Sequence, residues 1–326
     1  MPFALRPFSA LTALLAAGAC LTGAHAQQPY PTKPIKAIVP FAAGSATDQI
    51  GRAFAEKMAA TLGQSIVIDN KPGASGMLGA DIVAKSPADG YTLLIGTNST
   101  NAALKYLMKK LPYDQDTAFT PVGYLGSVPL MVAVNVDVPA KTLRELIDLA
   151  KAKPGQVSFA YASTSQQVSS EVLASMAGIQ MNPIPYKSGP AAMTDLIGGQ
   201  VNMFTADFGV TVSQHKAGKI RGLAVTSTTR AAAVPELPTV AETGVPGYEV
   251  NNWYAMGAPA HTPKAVIGKL NKALVDILNN QDLNFELHAA ESRVEGSNSS
   301  LRHESLKLLP HHLAIRTVIA IVATAR

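Results

Sequence analysis

Ile35-Lys36-Ala37-Ile38-Val39-Pro40 is a short apolar run that passes straight into Phe41-Ala42-Ala43-Gly44-Ser45-Ala46-Thr47-Asp48. The first run has the length and branched-residue content of a strand. The small residues after it make a turn. Beyond the turn, Ile50, Phe54, Lys57, Met58 and Leu62 share one face of a helix at 3.6-residue spacing. Ser45 is placed to cap that helix. Asp48 sits in its first turn, where a carboxylate meets unpaired N–H groups.

The same alternation continues outward from this unit. Ile66-Val67-Ile68 reads as the next strand, Gly79 to Lys85 as a helix, and Tyr91 to Gly96 as a buried strand after an Asp89-Gly90 turn. A second region opens with a strand at Val128 to Val134 and a helix at Leu143 to Lys151. Strands follow at Val157 to Tyr161, Ile184 to Lys187, Val201 to Phe204, Ile220 to Thr226 and Val250 to Ala258. Helices are expected at Val168 to Met176, Pro190 to Ile197 and Pro263 to Leu278. Strands alternating with helices predict an α/β fold.

One event recurs: a strand ends in small or hydroxyl residues before a helix. It happens at Gly44 to Thr47, Gly96 to Asn101, Ala162 to Ser165 and Ala206-Asp207. In open α/β sheets ligands lie beyond the carboxyl ends of strands, where helix N-termini offer free N–H donors and partial positive charge. The expected product is a cleft that holds an oxyanion, a carboxylate above all, mostly through neutral donors.

Composition narrows the alternatives. The 326 residues are 47% hydrophobic and 15% charged, enough apolar material for about two domains. The net charge of +5 is dispersed, with Lys109-Lys110 the one adjacent basic pair, so a nucleic-acid stripe is not expected. The single cysteine, Cys20, excludes zinc ribbons, CxxC motifs and disulfides within the chain. There is no P-loop, no G-x-G-x-x-G after a strand, no G-x-S-x-G elbow and no H-E-x-x-H. Of seven histidines only His215 and His261 lie in the body of the chain, and both read as surface residues. No catalytic residue, metal ligand or cofactor is expected.

The first 26 residues read as a signal peptide: Arg6, an apolar run from Leu11 to Leu21, then Ala24-His25-Ala26 for cleavage after Ala26. A lipoprotein reading at Cys20 meets Ala17 where a large aliphatic residue is wanted. Export to the periplasm follows, with Gln27 as the mature start.

At these turns the sequence resembles the periplasmic substrate-binding receptors of tripartite tricarboxylate transporters (the TctC or Bug type). The supporting segments run in order from Tyr30 to about Asp282. They include Val39 to Asp48, Asn70-Lys71-Pro72-Gly73-Ala74-Ser75-Gly76, Ala88 to Leu94, Lys151 to Gly155, Pro185-Tyr186-Lys187, Asp195 to Val201 and Leu237 to Glu242. The resemblance implies a two-lobed, type II-like periplasmic binding protein with its ligand cleft between the lobes. Lobe 1 would hold residues 27–123 and 253–326, and lobe 2 residues 124–252, with crossings near Tyr124 and Asn252. It further implies a monomer that takes a small organic carboxylate by hinge closure and hands it to integral membrane permease subunits. Sensing for a two-component system, or processing of the acid by an enzyme, are the alternatives.

Carried residue by residue, the family's carboxylate-holding first turn falls on Ala43, Ser45, Thr47 and Asp48. Other pocket positions fall on Thr97, Ser99, Asn101, Ser163, Thr164 and Asp207, and Phe41 either walls the pocket or belongs to the core. Asp48 either orients water on a ligand or steadies the helix start. Thr97, Ser99 and Asn101 either donate to a ligand or satisfy nearby backbone. Asp207 meets an amino group or solvent, and Lys187 a carboxylate or solvent. Trp253 and Tyr254 belong at the hinge or stack on a ligand. Three features depart from the family pattern. Ser45 stands where a second glycine is usual, the Ala162 to Ser165 turn lacks glycine, and the familiar ending is lost after about Asn284, leaving 291–326 as an atypical tail.

Overall fold

The structure, a computed structural model, describes residues 30–278. The expected signal peptide, Cys20 and the 291–326 tail lie outside them. Among the described residues no helix is long and apolar enough to cross a membrane.

The expected unit is present: β1 (Ile35–Val39) feeds α1 (Ala46–Leu62), which buries Ile50, Phe54, Met58 and Leu62. Strands β2 (Ile66–Asn70) and β3 (Thr92–Thr97) pair parallel on either side of β1. Helix α2 (Met77–Ala84) lies between them in sequence, and a wide helical turn, Ser99–Ala103, leads into α3 (Leu104–Leu107). The long strand β4 (Phe119–Asn135) then leads to α4 (Leu143–Ala152), β5 (Ser158–Tyr161) and α5 (Thr164–Ala177). After these come β6 (Asn182–Pro185), α6 (Gly189–Ile197), β7 (Met203–Asp207), α7 (Phe208–Lys216) and β8 (Ile220–Val225). The last described elements are β9 (Asn251–Pro259) and α8 (Lys264–Leu278).

The strand order β2-β1-β3-β9-β4-β7-β5-β6, with β8 also on β4, divides between two lobes. Lobe 1 carries the parallel strands β1 to β3 and the antiparallel β9. Lobe 2 carries the parallel β5, β6 and β7 and the antiparallel β8. Strand β4 belongs to both. Phe119 to Pro129 pair with β9, and from Leu130 onward the partners are β7 and β8. The expected strand at Val128 to Val134 is therefore the far half of a single strand. Its near half was hidden by Pro121, Gly123 and Gly126, residues that disfavour a strand interior. The register slips at Pro121/Gly123 and Tyr124/Gly126 are where the ladder absorbs them. The exchange of partners comes five residues after the expected crossing at Tyr124.

Helices cover both faces of lobe 1. Phe54, Met58, Leu270 and Leu274 pack α1 and α8 on one face, and Ala80 and Val83 of α2 meet Ile38 and Leu94 on the other. In lobe 2, Leu143, Leu146 and Ile147 of α4 pack with Val172 and Leu173 of α5 around Phe159. Helix α5 begins four residues before the expected Val168, since Ser163 caps it. Both lobes thus present the carboxyl ends of parallel strands, and the helix starts behind them, to one gap.

Candidate functional site

Helices α1, α5, α6 and α7 start where strands β1, β5, β6 and β7 end, and the residues at those starts line one cleft between the lobes. Lobe 1 contributes Phe41, Ala42, Ser45, Ala46, Thr47 and Thr97. Lobe 2 contributes Ala162, Ser163, Ser165 and Gln166 from one turn, Lys187, Ser188 and Gly189 from the next, and Asp207 with Val210. Asn252 of β9 completes the lining. The cleft is partly open to solvent.

Three of the four helices are capped alike. Ser45, Ser163 and Ser188 each accept a bond on Oγ from the N–H three residues on, at 3.3 Å from Asp48, 3.4 Å from Gln166 and 3.3 Å from Ala191. One first-turn donor is satisfied in each case. A helix has no internal carbonyl for its earliest N–H groups, so those of Ala46 and Thr47, which line the cleft, stay available. Their dipoles add partial positive charge at the same place. The chemistry is that of an anion cradle with little formal charge: a carboxylate meets N–H and O–H donors, and the exposed Lys187 on the rim is a cation on the lining.

The first turn is held rigidly. Gly44 takes φ +78°, a left-handed conformation that a side chain resists, so glycine is needed there. Ser45 has φ −69° and ψ 160°, ordinary extended backbone, so its replacement of the family's second glycine strains nothing and adds a cap. Asp48 accepts from Gly44 N–H at 2.9 Å, Asn70 Nδ2 at 2.9 Å and Arg52 Nε at 3.0 Å. Asn70 Nδ2 also reaches the Phe41 carbonyl at 3.0 Å, which ties both ends of the turn to β2. Burial pushes the Asp48 pKa up, but the bonds from Arg52, Gly44 and Asn70 outweigh it and hold the carboxyl below its usual range.

The second turn is held from outside. Ser165 Oγ donates to Asn98 Oδ1 at 2.8 Å, lies 3.0 Å from Ser99 Oγ and 3.3 Å from Asn252 Oδ1, so α5 is bonded to lobe 1 and to β9. Asn252 Nδ2 and Tyr254 OH both donate to Asp207 Oδ1 at 2.7 Å. Burial, reinforced by the Asp207 charge, holds the Tyr254 phenol well above its ordinary pKa, so it stays a donor.

Of the residues expected from sequence, Phe41, Ser45, Thr47, Thr97, Ser163 and Asp207 line the cleft together. The other five do not line it. Ala43 is exposed, and Asp48 braces the turn from behind. Ser99 is fully buried in the contact with Ser165. Asn101 folds back, its Oδ1 accepting from Thr100 Oγ1 at 2.6 Å. Thr164 is buried, and its hydroxyl has no partner among the described residues. Trp253 is buried in β9 away from the lining, while Tyr254 joins the Asp207 network. His215 is partly exposed on α7, away from the cleft lining, with Gly222 N–H donating to its Nδ1 at 3.2 Å and Glu236 lying 3.2 Å from Nε2. Sequence reasoning missed Gln166, Ser188 and Asn252. The Ser-Gly-Pro start at 188–190 was a readable signal for Ser188. The other two depend on contacts far apart in the chain.

Comparison with known proteins agrees with this architecture. The sequence model of the tripartite tricarboxylate transporter family receptor matches residues 50–303, which runs past Asn284, where the resemblance was expected to lapse. Protein BugT of Bordetella pertussis is 36% identical over 252 residues, covering 76% of this chain and 77% of that protein. Rpa4515 of R. palustris, solved with adipate, has a TM-score of 0.84 at 31% identity over 89% of this chain and 98% of its own. MatC (Rpa3494) from Rhodopseudomonas palustris, solved with bound malate, has a TM-score of 0.79 at 29% identity over 89% of this chain and 98% of its own.

Proposed function

The chain belongs to the tripartite tricarboxylate transporter receptor family, and from that premise we infer that it captures a small organic carboxylate between its lobes and presents it to a membrane permease. The observation that carries the reading is the convergence of four helix starts on one cleft. Peptide N–H groups at α1 and α5, with the hydroxyls of Ser45, Thr47, Thr97 and Ser163, are the binding groups; Thr164 joins them when the cargo seats. Asp48, Ser99 and Asn101 support these groups from behind. The related proteins solved with adipate and with malate support an organic acid as cargo. Lobe 1 holds β1 to β3, β9 and the near half of β4, lobe 2 holds the far half of β4 and β5 to β8, and they close by flexing where β4 exchanges partners. The receptor acts as a monomer in the periplasm after cleavage behind Ala26, needs no cofactor or metal, and leaves the acid chemically unchanged.

Hydrogen bonds to a charged group contribute about 1.5–3 kcal/mol each, so three or four hold a carboxylate without a salt bridge. Calorimetry with a panel of mono-, di- and tricarboxylates tests this, with saturable one-to-one binding expected. Ala46→Pro then removes a single N–H at the first helical position, where proline is tolerated and the preceding Ser45 already has the required extended backbone. Binding weakened at least about 10-fold with the melting temperature retained supports the reading. Undiminished affinity in Ala46→Pro contradicts the α1 cradle.

A further inference from the structure

Among the described residues Asp207 is the one acidic side chain that lines the cleft, and it is only 6% exposed. Its oxygens are used unequally. Oδ1 takes both short bonds, from Tyr254 and Asn252. Oδ2 receives one bond among the described residues, from Gln166 Nε2 at 3.4 Å, the long limit of a hydrogen bond. Gln166 cannot shorten it by turning freely, since its Oε1 is held by the Ala162 N–H at 2.8 Å. Nor does the Asp207 side chain cap α7, the use that a carboxylate at a helix start ordinarily finds. A carboxylate oxygen has room for two donors, and an under-used acceptor this deeply buried is costly unless something fills it.

Resting on the receptor reading above, we propose that Asp207 Oδ2 accepts a hydrogen bond from an N–H or O–H group of the cargo, which makes the receptor selective for hydroxy- or amino-substituted carboxylic acids. The same charge repels the cargo's own carboxylate and turns it toward the start of α1. The acid is thereby oriented, with its anionic head on Ala46 and Thr47 and its donor on Asp207. A site built around a buried polar group rejects the analogue that lacks the matching partner, because that group is then left unpaired.

The test is competition calorimetry on the intact protein with acids matched in skeleton: propionate, lactate and alanine; succinate, malate and aspartate; glutarate, 2-hydroxyglutarate and glutamate; phenylacetate, mandelate and phenylglycine. In any series that binds, a substituted member is expected to bind at least about 10-fold tighter than the unsubstituted acid. Asp207→Asn, with its fold checked by circular dichroism, replaces an acceptor oxygen with a donor and should bring that ratio to within about threefold. If Asp207→Asn does not fold, the ratios in the unaltered protein decide. A series in which the unsubstituted acid binds as well as its partners overturns the role of Asp207 and leaves the receptor reading standing. Binding by none of the twelve overturns both.

Discussion

The two turns that face each other across the cleft are built from similar residues and are braced in opposite ways. In Pro40 to Asp48 the bracing is internal to lobe 1: a left-handed Gly44, and a carboxylate that gathers Gly44, Asn70 and Arg52. Backbone presses on it too, since a Cβ on Gly79 would lie 2.7 Å from Pro40 Cα and 2.9 Å from the Lys71 carbonyl. In Ala162 to Gln166 no residue takes a left-handed conformation, and the main fastening runs from Ser165 to Asn98, Ser99 and Asn252. One wall is therefore a finished platform whatever the lobes do. The other is braced partly within its own lobe, by the Ser163 cap and the Ala162 bond to Gln166, and partly from across the cleft by Asn98, Ser99 and Asn252.

The sharpest way to break this contrast is Asp48→Ala, which removes the acceptor shared by Gly44 N–H, Asn70 Nδ2 and the half-exposed Arg52 guanidinium. A loss of about 3 kcal/mol is expected in urea denaturation, since the bonds from Gly44 and Asn70 go to a charged group and such bonds contribute about 1.5–3 kcal/mol each. The pH dependence gives the same contrast a sign. Because the folded Asp48 pKa is depressed, its contribution is full above the ordinary carboxylate pKa and is lost as pH falls through the lower folded value. The urea midpoint of the unaltered protein should drop on acidification, and Asp48→Asn should remove part of that drop. An acid limb identical in both proteins would show that Asp48 does not brace the turn.

Next in size is Gly79→Ala, expected to cost about 2 kcal/mol because the neighbours that must yield are backbone atoms. Cargo affinity should fall with it, as Pro40 and Phe41 shift. Ser165→Ala is expected to cost about 1 kcal/mol in stability. Its diagnostic signature lies elsewhere: small-angle scattering of the ligand-free protein should move toward a more open shape. An unchanged scattering curve would mean that the second turn is braced as independently as the first. The smallest effect is that of Thr164→Val, which deletes a buried hydroxyl with no partner. Stability should stay level or rise by about 0.5 kcal/mol, since an unsatisfied polar atom is replaced by a methyl of the same shape. Affinity should still fall, because the hydroxyl is then missing when the cargo seats.

Much of this was legible in the chain itself. The β1–α1 unit, its Ser45 cap and the small-residue turns after β1, β5 and β7 each depend on residues within four positions of one another, and periodicity and capping chemistry act over that range, whereas the Ser163 and Ser188 caps were not read. Six of the eleven expected site residues meet at the cleft for the same reason: they sit at strand ends, and the ends of parallel strands in both lobes face one gap. The continuity of β4 was not legible, because its prolines and glycines argue for a loop until β9 supplies a partner that tolerates two register slips.

The roles of side chains divided along the same line. Local sequence was enough to put Asp48 and Asp207 at helix starts, and near-neighbour sterics and hydrogen bonding explain why. It was not enough to say that Asp48 turns toward Asn70, 22 positions on, or that Asp207 turns toward Tyr254, 47 positions on. Those choices depend on which buried donors the packed lobes bring within reach, and a buried charge goes where donors already are.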